Sequence, residues 1–184
     1  MENNNEYTSI RRTNTKIFLI MKVFMFITDS LFFVYWSVSL IICLGGFKPP
    51  ASLMYKDYQL RHVESWNWSF FPIDMIFTTT GFLSLYLDTK PSMVYKLYSK
   101  LIALISLICV HIAGNMAISY WILMNEYDVS WFLMNAMISI WPLPFIYLII
   151  DDLVNQVRNV EFQKENNMHI ESTDGVDIVD QIGS

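Results

Sequence analysis

Charge is scarce in this chain: 16% of its 184 residues are Asp, Glu, Lys or Arg, against about 25% in an ordinary soluble domain. Cysteine is scarcer still. Cys43 and Cys109 each lie inside an apolar run, where a disulfide would need two helices held at one depth with their Cβ atoms facing. Both therefore read as buried free thiols. With three histidines and no Cys or His grouping at ligand spacing, a structural zinc centre is excluded. The chain also lacks a phosphate-cradling glycine loop, a GxSxG elbow, an HExxH helix, and any row of carboxylates along one span that would mark a proton pathway. No catalytic residue, metal ligand or cofactor is assigned, and a non-enzymatic protein is the expectation.

Positive charge is the rarer sign, and its placement excludes nucleic acid as a partner. The formal charge is −5. From Asp151 onward eight acids face only Arg158 and Lys164, a net −6, so the remainder of the chain is close to neutral at +1. No basic stripe with interleaved aromatic rings is left for a phosphate backbone.

What the chain has in abundance is apolar surface: 54% of residues are hydrophobic and 16% aromatic. Crossing about 30 Å of hydrocarbon takes roughly 20 mainly apolar residues in a helix. Four stretches meet that length, at 23–44, 68–87, 101–123 and 131–150. The fold class expected is all-α, a four-helix transmembrane bundle over 23–150, flanked by an amino-terminal segment 1–22 and an acidic tail 151–184. The first apolar stretch follows Arg11, Arg12 and Lys16 as a secretory signal would, but it is too long for one and carries Asp29, so it reads as a retained span. The connection 45–67, with Pro49 and Pro50, is too polar to span and is expected to cap the bundle. In the tail, Leu153, Val157 and Val160 recur at helical spacing, which suggests a short amphipathic continuation before structure is lost after about Gln163.

Orientation follows from Lys and Arg, which accumulate on the cytoplasmic side. The amino-terminal segment, the connection between spans two and three, and the tail together hold nine. The opposite connections hold Lys48, Lys56 and Arg61. Both termini are thus expected in the cytoplasm. Trp66, Trp68 and Trp131 fall at the outer ends of spans two and four, where amphipathic rings anchor in the headgroup layer.

Polar residues at membrane depth are costly, face the bundle interior, and are the candidate site residues. Five qualify: Asp29, Asp74, His111, Asn115 and Asn135. With a rise of about 1.5 Å per residue, Asp74 lies roughly 9 Å inward of Trp68, and Thr78 and Gly81 continue its face as a stripe suited to close packing. His111 and Asn115 are one turn apart on span three. Asn135 leads a face continued by Ser139 and Pro142. These depths would let Asp74, Asn115 and Asn135 meet in the outer half with His111 beneath. Asp29 lies in the inner half, about 10 Å deeper than Lys22, which reads as a snorkelling interfacial cation rather than its partner. Pro72 falls in the first turn of span two, where a missing amide proton costs little. Pro142 and Pro144 should kink span four and free backbone carbonyls for a donor or a water.

Several strings resemble one family when taken in order: Thr28-Asp29 leading to Tyr35-Trp36, the loop Tyr55-Lys56-Asp57-Tyr58, the block Trp66-Asn67-Trp68-Ser69-Phe70-Phe71-Pro72-Ile73-Asp74, and Trp141-Pro142-Leu143-Pro144-Phe145. Together they resemble the YvaD-like family of small, uncharacterised bacterial membrane proteins, over roughly Lys22 to Ile150. The resemblance implies a four-helix bacterial membrane protein and transfers no activity, substrate or cofactor. The longer amino-terminal segment and acidic tail depart from the compact family pattern. A looser similarity of plan, to four-helix sterol-isomerase-like and sigma-receptor-like proteins, is analogy of fold alone.

Three functions fit these residues. The first is a bundle, embedded in the lipid bilayer, that binds a membrane protein partner or a small amphiphilic molecule through Asp29, Asp74, His111, Asn115 and Asn135. The second is an isomerase-like membrane enzyme using the intramembrane Asp and His, and the third is proton-coupled transport by an oligomer. In a purely structural role the same groups would be interhelical hydrogen-bond partners, each contributing on average about 0.6 kcal/mol.

Overall fold

The computed structural model describes residues 2–47, 50, 57–125 and 129–182, with side chains between Thr15 and Met168. Tyr55 and Lys56 of the loop string, Lys48, Pro49, Glu126 and Asp128 lie outside the described residues. Within them the chain forms six helices and no strand: α1 (Glu2–Cys43), α2 (Arg61–Ser69), α3 (Phe71–Asp88), α4 (Met93–Leu123), α5 (Val129–Ile140) and α6 (Pro142–Ile182). Four helical stretches are long and apolar enough to cross a membrane, over Thr15–Cys43, Arg61–Asp88, Met93–Leu123 and Val129–Glu165.

Each boundary has a local cause. The first apolar helix stops where Gly45 takes a left-handed φ of 78°. The Gly46 amide then reaches back to the Ile41 carbonyl at 2.8 Å and the Gly45 amide to Ile42 at 2.9 Å, the paired closure that only a glycine adopts cheaply. The second stretch is broken at Phe70 because Pro72, in the first turn of α3, has no amide for the Trp68 carbonyl and its ring crowds that turn. Pro72 thus does more than open a helix. It separates α2 from α3.

A tight turn through Pro91 returns the chain from α3 to α4. Near it Ser84 and Ser99 exchange hydrogen bonds, each hydroxyl donating to the other's carbonyl at 2.9 Å. Deeper in the same interface the Ser106 hydroxyl donates to the Phe77 carbonyl at 3.0 Å. The face of α4 that makes this contact is built from small residues, Ser99, Ala103, Ser106, Ala113 and Ala117, all buried, so the two backbones approach closely.

Burial departs from that of a protein in water. Beside an apolar core that includes Trp36, Phe77, Leu107 and Val110, the interior holds Asp29, Asp74, Thr78, Ser84, Ser99, Ser106 and Asn135, while Phe33, Ile76, Ile105 and Leu133 face outward on the four successive stretches. Cys43 differs from expectation: it is exposed at the end of α1, and Cys109 is half-buried; both thiols are free. α2 closes one end of the bundle, with the Trp66 ring stacked 4.1 Å from Tyr120 and edge-on to Trp121 at 5.6 Å.

The chain divides into two compact units, Met1–Ile146 and Tyr147–Ser184. The second is the continuation of α6, where Asn155 donates to Asp151 at 3.1 Å and Gln156 to Asp152 at 2.6 Å, one turn apart. Beyond Gln163, where composition favours loss of structure, the helix runs on to Ile182.

Candidate functional site

Within the first unit α1 packs on α3, α3 on α4, and α4 on α5. α1 and α5 stand at the two ends of this row, and between them lies a cleft of about 550 Å³, well within the range of small-molecule sites, about 300–1,000 Å³. Its walls are Ile27, Leu31 and Tyr35 from α1 and Met134, Asn135 and Ile138 from α5; its floor is Asp74 from α3 with Ala113, Gly114 and Ala117 from α4. Small residues on α4 leave this space. Where larger rings meet, at Phe24 and Trp141 with centroids 5.6 Å apart, the cleft ends.

The cleft is graded along its length. Toward α2 it carries Tyr35, Asn67, Asp74, Ser130 and Asn135; toward Phe24 and Trp141 it is apolar apart from Thr28. Its rim is apolar as well, since Leu31 and Met134, on opposite walls, remain 62% and 57% exposed. An opening so lined lies partway along the spans, between helices.

Asp74 is 3% exposed. Its Oδ2 accepts a hydrogen bond from the Trp36 indole Nε1 at 2.8 Å, and its Oδ1, fully buried, meets no hydrogen-bond partner. Trp36, itself 1% exposed, is fixed by rings on three sides: Tyr35 at 5.1 Å, Trp68 at 5.2 Å and Phe71 at 5.0 Å. Tyr35 in turn donates to the Asn67 Oδ1 at 2.8 Å. The result is a rigid aromatic frame holding one carboxylate, with an acceptor oxygen left over.

The other four sequence candidates are dispersed. Asn135 lines the cleft with Asp74, its amide nitrogen turned back to the Trp131 carbonyl at 2.8 Å. Asn115 does not join them: it is exposed and donates to the His111 carbonyl at 2.9 Å. A polar side chain four residues on from a carbonyl of its own helix reaches that partner without leaving the helix. The His111 Nδ1 donates to the Ser139 carbonyl at 2.6 Å. That acceptor belongs to the last turn of α5, where the helix ends at Ile140 and its final carbonyls lie beyond the regular hydrogen-bond ladder. Asp29 sits outside the cleft, against α3, where its carboxylate occupies the space a Cβ on Gly81 would fill. Lys22 pairs with Asp88 rather than with Asp29.

A family model described as a family of unknown function, DUF5360, matches residues 21–156. The chain belongs to the DUF5360 family. Among curated relatives it is similar to the uncharacterized protein YvaD of Bacillus subtilis (strain 168), 36% identical over 132 residues that make up 72% of this chain and 92% of YvaD. No solved structure matches. The DUF5360 match takes in α3 to α5, the cleft, and all five sequence candidates, and leaves most of the amino-terminal segment and of the acidic tail outside.

Several DUF5360 side chains in the site were not singled out from sequence. Trp36 stood out only within a family string, because nothing in one sequence says which carboxylate an indole faces. Tyr35 with Asn67, and Ser84 with Ser99, are pairs across helices. The signal for the second was present: small residues at 99, 103, 106, 113 and 117 recur on one face of α4.

Proposed function

We propose that this DUF5360 protein is a multi-pass membrane protein, both termini cytoplasmic, that takes one small amphiphilic molecule sideways from the bilayer into the cleft between α1 and α5. One observation carries the reading: an apolar-rimmed cleft partway along the spans, graded from a polar end at Asp74 to an apolar end at Phe24 and Trp141. A headgroup that donates a hydrogen bond satisfies the unpartnered Asp74 Oδ1, which otherwise remains a costly buried acceptor. The apolar chain then lies among Ile27, Leu31, Met137 and Ile138. Outward-facing apolar side chains on all four stretches support a lipid surround.

A diazirine-bearing long-chain alcohol, photolysed with the full chain in bilayers, tests this. Label is expected on the cleft walls of α1 and α5, in saturable one-to-one amount, and is lost in Ala117→Phe, which fills the floor. Equal labelling of the outward Phe33 and Leu133, undiminished by Ala117→Phe, overturns it.

The enzyme reading has less support, because His111 is not among the residues lining the cleft and its Nδ1 is committed to Ser139. Orientation has a separate check. Cys43 is exposed at the end of α1 next to α2, whereas Cys109 lies mid-span. A membrane-impermeant maleimide added to intact cells is expected to modify Cys43 from outside. Modification only after the membrane is opened would reverse the topology.

A further inference from the structure

The seam between α1 and α3 is separate from the cleft's occupancy and has its own order. Reading along α1, Lys22 faces Asp88, Asp29 faces Gly81, Phe32 faces Phe77 with ring centroids 4.8 Å apart, and Trp36 faces Asp74. As the number rises by fourteen from Lys22 to Trp36 on α1 it falls by fourteen from Asp88 to Asp74 on α3, the register of antiparallel helices. The seam is thus a single file of three carboxylates drawn from two helices: Asp88 at one end, Asp29 in the middle, Asp74 at the cleft. Seven residues separate Lys22 from Asp29 and Asp74 from Gly81, so neighbouring carboxylates are about 10 Å apart along the axis. Thr78 lies between the last two, on the same face of α3.

Three polar atoms along this file are buried and lack hydrogen-bond partners: Asp29 Oδ2, Thr78 Oγ1 and Asp74 Oδ1. Their residues are 1%, 2% and 3% exposed. Buried polar groups left unpaired in a packed interface call for water or an exchangeable proton, and intramembrane carboxylates in file mark proton relays. The charged and titratable groups along the same seam are Lys22 and Tyr35 on α1, and Asp74 and Asp88 on α3. The α4 histidine, His111, is turned to α5.

We propose that the α1–α3 seam carries protons between the cleft and the Lys22–Asp88 end, with Asp29 as the intermediate carrier and the Thr78 hydroxyl and water bridging the gaps. Each step breaks one O–H bond and forms another: Asp29 gives its proton toward Thr78 and Asp74 and takes one from the Asp88 side, so the seam returns to its starting charge. The Phe32 and Phe77 rings meet edge-to-face at 4.8 Å in the seam between Asp29 and Asp74, and carboxyl and hydroxyl groups in file hand on protons rather than metal cations.

The test uses the full chain in vesicles containing a pH-sensitive dye, with a potassium gradient and valinomycin supplying the driving potential. Wild-type vesicles are expected to acidify faster than protein-free ones, Asp29→Asn to fall to the protein-free rate, and Thr78→Val to be slowed. An Asp29→Asn chain that still takes up the photolabel in the cleft separates loss of proton movement from loss of the binding reading. Wild-type vesicles no faster than protein-free ones, an Asp29→Asn rate equal to wild type, or sodium moving alongside protons overturns the proposal. Should Asp29→Asn fail to fold, Thr78→Val decides: a slowed rate upholds the seam and an unchanged one overturns it.

Discussion

Trp36→Ala is expected to destabilise the fold by about 3–5 kcal/mol, the range for emptying a packed aromatic site. Trp36 is 1% exposed and meets Tyr35, Trp68 and Phe71 within 5.2 Å, so the cavity would be ringed by rigid groups that cannot collapse into it. The change also takes from the Asp74 carboxylate its only hydrogen bond among the described residues, leaving both oxygens bare in the interior. Trp36→Phe separates the two effects. It keeps most of the ring volume and removes the Nε1 donor, and should cost about 1–3 kcal/mol, the penalty for stranding a buried polar partner. Reversible unfolding from mixed micelles measures both. A Trp36→Phe chain as stable as wild type would show that Asp74 does not depend on the indole, and would remove the frame on which the cleft's polar end rests.

That frame explains what could be read from the sequence and what could not. The four apolar stretches were legible because hydrocarbon imposes length and composition on a helix before any tertiary contact forms. So was the stripe of Asp74, Thr78 and Gly81, since one helix's periodicity defines its own faces. Pro142 and Pro144 remove the amide donors of the Ile138 and Ile140 carbonyls in span four, whereas His111 reaches the carbonyl between them, at Ser139. Pairings between helices were illegible. Asn115 was expected beside Asp74 from depth alone, yet depth does not fix azimuth, and Asn115 is satisfied on an exposed face of its own helix. No single span carries a carboxylate ladder; the file Asp88, Asp29, Asp74 exists only once two antiparallel helices are set in register. The cleft escaped for the same reason: it arises where α1 and α5 fail to pack, and an absence of packing has no residue pattern.

The second large effect is at Gly114. A Cβ there would lie 2.7 Å from the Ser139 amide nitrogen and 2.9 Å from the Asn135 carbonyl oxygen, and both are backbone atoms of α5 that no rotamer change can move. Gly114→Ala gains about 1 kcal/mol in helix propensity, but α4 and α5 must separate to admit the methyl group, and overpacking of this kind costs about 1–3 kcal/mol. Gly114→Val should cost more again, and in both variants the shift withdraws Ser139 from His111 and Asn135 from the cleft, so photolabelling should fall with stability. Gly81 provides the contrast. There the added Cβ would collide with the Asp29 carboxylate, a side chain. Gly81→Ala alone should therefore destabilise, while the same substitution in an Asp29→Ala chain should cost less, the two changes coupling as contacting residues do. No single side-chain truncation on α5 is expected to rescue Gly114→Ala, because the obstruction is main chain. Rescue there, or strict additivity at Gly81 and Asp29, would mean that the close approaches of α4 to α5 and of α1 to α3 are not what the helices rest on.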